Sequence, residues 1–486
     1  MFYNNNIQKG RGKKMYKKRL KKLKETEAEG KMLKNKNGIT LIALVVTIVV
    51  LLILAGVTLT LVLDNNGIIK KSKDAKEQYG QARENEQADL SNLSDWIDDA
   101  VGVVNWDKIL DDAEQNPDKY KHPEQSDTNG DIGIGTDGKP VNMDLWTYEI
   151  INTNEIRLGI RTSVNMGYSG YNNSKITESG EIQGKVPQYI KKDGESSFYP
   201  VTDMCVTFMN CTNLKIAPEF PSTVTNLSVW DENEGSGNIG TFFNCTGLEV
   251  APKIPEKVKD LTNCFSNCTS LTTAPEIPSS VTNMKGTFSG CTSLTTAPEI
   301  PSSVTNMGGT FWGCTSLTAA PEIPSSVTNM WNTFGGCTSL TTAPEIPSSV
   351  TNIGGTFWGC TSLTAAPEIP SSVTNMWSTF EGCTSLTTAP EIPSSVTRMR
   401  WTFKDCTSLT TAPEIPSSVT DMGSTFSGCT SLTGNLVINA NPKYYSNCLN
   451  NASTAAGTNL VVSGTSTLLD EIIATKSANS NITKGN

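Results

Sequence analysis

From Cys245 to Cys429 the apolar and polar positions recur with a strict period of 23 residues, as in "LTTAPEIPSSVTNMKGTFSGC" at 271–291. Cys211, Cys245, Cys268, Cys291, Cys314, Cys337, Cys360, Cys383, Cys406 and Cys429 mark ten units, and only the first interval, of 34 residues, departs from the period. A fixed period in the twenties indicates a solenoid, because no single unit can bury its own apolar face and each must lean on the next. Leu271, Ala274, Ile277, Val281, Met284, Phe288 and Cys291 recur in phase and are predicted to point inward. Pro275 and Pro278 cannot donate to a strand ladder, so the strand at "LTTA" is predicted to be short.

Ahead of the repeats the pattern changes three times. Ile39–Leu63 is 25 residues without a charge, enough to cross a bilayer core as one helix. Residues 64–100 read as a polar stalk helix with few apolar anchors. Residues 101–199 show short β-type runs such as "LWTYEIINT" and "EIRLGIRT", separated by Gly, Asn and Asp turns. The predicted fold is a mainly β solenoid over 200–432, preceded by a basic leader (1–38), one transmembrane helix (39–63), the stalk and a small β-rich module. A cap is predicted at 433–486, where the period ends.

Charge fixes the expected topology. Residues 1–38 hold thirteen Lys and Arg against three Glu, and the remainder carries 26 basic against 45 acidic residues. A basic cluster before an apolar span keeps the N-terminus in the cytoplasm and exports the chain beyond the span. A span of this length exceeds the apolar core of a removable signal peptide. The expected location is therefore the cell membrane, single-pass, with an acidic bulk at the cell surface that is a poor partner for nucleic acid.

Two resemblances attach to these segments. "KNGITLIALVVTIVV" resembles the type IV pilin and pseudopilin N-terminus, in which a basic leader ends in Gly before a Thr-Leu-Ile helix. The resemblance covers roughly residues 31–65. It implies that a prepilin peptidase cuts after Gly38 and that Ile39 is methylated; Ala43 stands where that family usually has Glu. The repeat "L-T-x-A-P-E-I-P-S-S-V-T-N-M-x-x-T-F-x-x-C" resembles the leucine-rich repeats of BspA-type and treponemal bacterial surface proteins, which implies adhesion or partner binding.

The units differ from one another at two sites only. After the Met the pairs run Lys285-Gly286, Gly308-Gly309, Trp331-Asn332, Gly354-Gly355, Trp377-Ser378, Arg400-Trp401 and Gly423-Ser424. After the Phe they include Trp312, Trp358, Glu381 and Lys404, and the long first interval brings Trp230 at the post-Met site. Positions that accept such changes without disturbing the period are predicted to form one solvent-facing surface. Trp230, Trp312, Trp331, Trp358, Trp377, Arg400, Trp401 and Lys404 are its candidate binding residues, because clustered Trp and Arg are favoured contact chemistry and indoles stack on sugars. The alternative is that the rings lie flat over the next turn and cover the core.

Other chemistry is sparse. His122 is the single histidine, in a Pro- and Lys-rich loop, which removes most acid/base and His-metal designs. Asp127, Asn129 and Asp131 alternate as at the opening of a calcium loop, but Ile132 and Gly138 occupy positions where an EF-hand needs Gly and Glu, so a tight turn is expected. Thirteen cysteines in an exported chain invite disulfides, yet a column of parallel side chains suits a disulfide poorly. Buried thiols are expected, with Cys205, Cys264 and Cys448, which break the phase, the first candidates for any pairing. Glu276, Glu299, Glu322, Glu345, Glu368, Glu391 and Glu414 form a second column, read as a solvated stripe or an acidic groove. No catalytic set, metal site or cofactor site is predicted. The leading expectation is an anchored surface protein that binds an extracellular protein or polysaccharide, ahead of a minor or tip subunit of a pilus-like filament and of an extracellular hydrolase.

Overall fold

The computed structural model describes residues 104–126, 129–151, 154–159, 171, 173–229 and 239–485. The leader, the apolar span and the stalk, with Gly38, Ile39 and Ala43, lie outside the described residues, as do Asp127 and Trp230. Among the described residues no helix is long and apolar enough to cross a membrane.

The chain enters through a helix, α1 (Trp106–Gln115), whose first turn is capped by the Asn105 side chain accepting from the Lys108 N–H. Six strands come next: β1 (Ile132–Gly135), β2 (Pro140–Val141), β3 (Tyr148–Ile151), β4 (Glu155–Leu158), β5 (Pro187–Lys191) and β6 (Tyr199–Asp203). They form one sheet in the order β2-β1-β5-β6-β4-β3, antiparallel except for the parallel pair of β4 and β6. Arg157 on β4 ties three strands by pairing with Glu149 at 2.7 Å and Asp203 at 2.9 Å. Asp131 does not serve as an ion ligand: its carboxylate accepts from the Tyr148 hydroxyl and the Asp193 N–H, while the Asn129 side chain accepts from the Asp131 N–H, closing a turn.

Strand β6 straddles the junction between module and repeats. Asp203 at its end bridges in parallel to Asn226, and beyond the long interval single-residue parallel bridges run up the array from Asp260 through Asn283, Asn306, Asn329, Asn352, Asn375, Arg398 and Asp421 to Tyr444. A second column passes through Thr273, Thr296, Ala319 and Thr342. Each turn therefore contributes one-residue bridges in place of strands, as the flanking prolines require. The stacking is completed by backbone bonds of constant offset: Met284, Gly286, Phe288 and Gly290 donate to the carbonyls of Asn306, Gly308, Thr310 and Trp312 at 2.7–2.9 Å.

Stacking like on like fills the interior. Phe rings from Phe208 to Phe426 lie 5.4–5.9 Å apart with planes within 15° of parallel, an offset arrangement that aromatic pairs prefer. At the module end this column runs into Tyr171 and Trp146, so sheet and array share one core. Leu271, Ile277, Val281, Met284, Phe288 and Cys291 are buried as predicted from the phase, whereas Ala274 is only half-buried at the edge of the core.

The threonine preceding each Phe also points inward. Thr310 Oγ1 lies 2.8 Å from the carbonyls of both Met284 and Met307, which satisfies the buried hydroxyl. All thirteen cysteines are buried thiols, none of them in a disulfide. Those of the main column bond to the turn before: Cys291 Sγ donates to the Phe265 carbonyl and Cys314 Sγ to that of Phe288, each at 3.1 Å. Cys264 and Cys448, expected to be among the first to pair, instead occupy the threonine position. Phe242 and Phe426 donate to their carbonyls as other turns' Phe residues donate to threonine. Cys205 likewise forms no disulfide and is buried beside Val206.

The period does not end at Gly434. Met422, Ser424, Phe426 and Gly428 donate to Tyr444, Ser446, Cys448 and Asn450 with the offset of the earlier turns, so one more turn is laid down with Leu449 and Ala452 in the Phe and Cys places. The repeated wording is lost there, but small and apolar residues remain at the buried positions, and burial is what stacking demands. The end is then closed by three parallel strands, β9 (Gly434–Val437), β10 (Leu460–Ser463) and β11 (Ile482–Lys484), with a short helix α2 (Leu469–Ile473) between the last two. The long first interval emerges as a two-stranded stem, β7 (Ser228–Val229) against β8 (Ile239–Gly240), at the post-Met site.

Burial pushes the column thiols upward, Cys291 and Cys337 from 9.0 to about 12. A folded-state pKa raised above its unfolded value contributes stability that is whole below the unfolded pKa and is lost as pH rises. The melting temperature of the array is therefore expected to hold across neutral pH and to fall steeply from pH 9 toward 12. An alkaline profile as flat as the neutral one, measured by thermal circular dichroism, would contradict buried neutral thiols.

Candidate functional site: a tryptophan groove on the variable face

Each turn presents its two variable sites through fixed backbone. Two residues before the first post-Met position an Asn side chain accepts that position's N–H: Asn329 from Trp331 and Asn375 from Trp377, both at 3.1 Å. The second post-Met position is left-handed in the turns from Asn263 to Asn447, with φ +63 at Gly286, +65 at Gly309 and +65 at Gly355. Gly pays nothing for this and Asn little. Trp401 adopts the same conformation, φ +61, although a bulky residue is disfavoured there. After each Phe the turn closes again, the N–H groups of Trp312 and Trp358 donating to Gly309 and Gly355 at 3.1 and 3.0 Å.

Four of the predicted face residues converge. Trp312, Trp358, Trp377 and Trp401 line one open groove of about 230 Å³, with Asn332, Ser378 and Glu381 among them. Trp377 and Trp401 come from adjacent turns, their rings 5.5 Å apart and tilted by 50°. The exposed Arg400 lays its guanidinium 4.6 Å from the Trp401 ring, within cation–π range. Glu381 accepts from Ser378 Oγ at 2.7 Å and pairs with Lys404 at 2.8 Å, while Lys404 also lies 3.5 Å from Asp405. The hydrogen bond from Lys404 to Glu381 holds that ammonium above its usual range.

Trp331 stands apart from the groove. It is 43% exposed, like Trp312 (44%) and Trp358 (42%), but leans over the next turn: a Cβ on Gly354 would lie 3.2 Å from Trp331 Cδ1. Trp312 leans in the same way over Gly335, where a Cβ would come within 2.9 Å of its Cδ1. These two rings cover a glycine of the following turn and keep about two fifths of their surface in water. The signal was present in the sequence, as Trp followed by Gly one period later at 312/335 and 331/354.

The remaining candidates build no second site. His122 is half-buried, its Nδ1 accepting from the Glu124 N–H. The glutamate column is exposed, and the open hollows beside it at Glu276 and Glu299, of about 300 Å³, and at Glu345 and Glu368, of about 460 Å³, carry no aromatic ring. Among the described residues no group of His, Cys, Asp and Glu is placed to hold a metal ion. The thiols are buried, and desolvation raises the pKa of Cys268 and its column neighbours, which disfavours the thiolate.

Residues 236–341 and 331–456 match the family described as the BspA type leucine rich repeat region, in six copies. The array has the leucine-rich repeat fold. Solved structures similar to the chain include a leucine-rich repeat protein from Bacteroides ovatus, 20% identical, covering 71% of this chain and 99% of that one with a TM-score of 0.32. A leucine rich cell surface protein from Faecalibacterium prausnitzii is 23% identical over 60% of this chain and 92% of that one, TM-score 0.32. The pneumococcal vaccine antigen PcpA is 13% identical over 70% and 96%, TM-score 0.35. No curated protein matches the chain. The fold of the leucine-rich repeat array rests on its own periodic geometry and the family match.

Left-handed backbone costs a bulky residue about 1–3 kcal/mol, and Trp401 bears that cost where other turns use Gly. Trp401→Gly is therefore expected to raise the thermal midpoint or leave it unchanged, even though an indole is removed. A marked loss of stability would mean that Trp401 serves the core and not the groove.

Proposed function

We propose that this is an exported, membrane-tethered bacterial surface protein whose leucine-rich repeat array binds an extracellular partner through the tryptophan groove. The observation that carries the reading is the convergence of four indoles from several turns on one open groove, with Trp401 at a left-handed position that the stack imposes and that other turns fill with Gly, Asn or Ser. Exposed aromatic clusters of this kind mark interaction sites, and sites that bind tend to retain strain that stability alone would remove. The uncharged segment Ile39–Leu63 behind a basic cluster supports the tether and its orientation. The glycine-ended leader before Ile39 supports handling by a prepilin peptidase; it favours a second reading, a minor or tip subunit of a pilus-like filament, in which the same groove would sit on the exposed part.

Cells displaying the full chain are expected to attach to immobilised extracellular-matrix proteins or polysaccharides. Changing Trp312, Trp358, Trp377 and Trp401 together to Ala should reduce attachment at least tenfold at equal surface display, with the thermal transition of the purified variant preserved. Equal attachment by wild-type and variant cells would remove the groove from the function.

A further inference from the structure

Charge narrows what the groove can hold. Its one lining carboxylate, Glu381, is already paired with Lys404 and bonded by Ser378, and the flanking Arg400 and Asp405 balance each other in sign. A cationic ligand, whether a quaternary ammonium or a lysine of a protein, finds no unmatched negative group; an anionic one finds the Lys404 ammonium paired and only the Arg400 guanidinium, already laid on the Trp401 ring, outside an ion pair. What remains unsatisfied is flat aromatic surface and acceptor capacity. An ionised carboxylate offers about four lone-pair sites, so Glu381 retains room for hydroxyl donors after its two contacts, and the Asn332 amide lies on the same lining.

Shape agrees with charge. The groove, about 230 Å³ and open, is smaller than the ~300–1,000 Å³ of pockets that enclose a small molecule, and so suits one ring laid on a surface. Trp312 and Trp358 occupy the same place two turns apart; Trp312 leans over Gly335 in the turn between, so the surface offered to a ligand is the exposed part of the indoles themselves. The rise per turn, seen in ring spacings of 5.6 and 5.9 Å between Phe311, Phe334 and Phe357, is close to the length one hexose adds to an extended chain. Resting on the reading of the groove as the binding site, we infer that its ligand is a neutral polysaccharide. One hexose ring lies on the indole faces, its hydroxyls donate to Glu381, and the chain runs along the stacking direction.

The test uses the full chain in detergent, titrated by calorimetry with linear neutral hexasaccharides of glucose, N-acetylglucosamine and mannose, and with an oligogalacturonate as the charged comparison. At least one neutral hexasaccharide is expected to bind and the oligogalacturonate not. Trp358→Ala and Trp377→Ala should each weaken binding roughly tenfold or more, Trp358→Phe should restore part of it, and Trp331→Ala, outside the groove, should leave it unchanged. In parallel, the surface to which displaying cells attach is oxidised with periodate, which cleaves vicinal diols; attachment is expected to fall to the level of the Trp358→Ala cells. Attachment that needs Trp358 yet survives periodate, with no hexasaccharide bound in calorimetry, would overturn the saccharide inference and leave a protein partner. Attachment that does not need Trp358 would overturn the reading beneath it.

Discussion

Backbone hydrogen bonding between successive turns constrains everything else in this protein. In the turns from Leu261 to Met422 the N–H groups at the second post-Met, the Phe and the second post-Phe positions, and in all of these turns but that of Met330 the N–H at the Met position, are given to carbonyls of the next turn at a constant offset. A change of length inside a turn would leave those groups bare in a dry interior, and each unsatisfied group costs about 1–3 kcal/mol. The insertion in the first interval is tolerated because it leaves the stack as the β7–β8 stem at a surface site and returns to the same register. Once the register is fixed, every buried residue faces its own counterpart one turn away, so the residues that persist are those that pack or bond well against themselves. Phe stacks on Phe, Thr bonds to a carbonyl of the turn before and to one within its own turn, and Cys gives its thiol to a carbonyl of the turn before.

The same constraint explains where novelty is allowed. Only the residues whose side chains leave the stack can vary, and even they inherit its backbone, including the left-handed position that suits Gly and Asn. Neighbouring turns are nevertheless coupled. An indole at Trp312 or Trp331 needs a glycine one period later, whereas Trp377 is followed by Arg400 and Trp401 and meets an aromatic neighbour. The groove is the product of that local exchange of Gly for larger residues over four turns.

The period, the inward phase of Leu, Ile, Val, Met, Phe and Cys, and the two variable sites were legible in the sequence, because repetition displays directly what stacking holds constant. Ala274 was misjudged because a methyl group near two prolines fits the rim as well as the interior. Thr287 and its equivalents were not recognised as buried, since a hydroxyl reads as polar until the carbonyl that satisfies it is seen. Cys264 and Cys448 broke the cysteine spacing only because they belong to the threonine column. The turn beyond Gly434 keeps buried volume without keeping wording, so it was invisible to a search for repeated words. Which tryptophans would share a groove, and that Trp331 would not, depended on ring orientation across turns.

The central claim is that the 23-residue register, more than any particular side chain, holds the array together. It is tested most directly by comparing two internal deletions in the full chain: residues 338–360, which removes one complete unit, and residues 338–349, which removes about half of one. The account predicts that the whole-unit deletion melts cooperatively at a temperature near that of the parent, because every donor meets a carbonyl one turn on. The shorter deletion should lose cooperative melting despite removing less chain. Comparable melting of both, or greater damage from the complete unit, would contradict it.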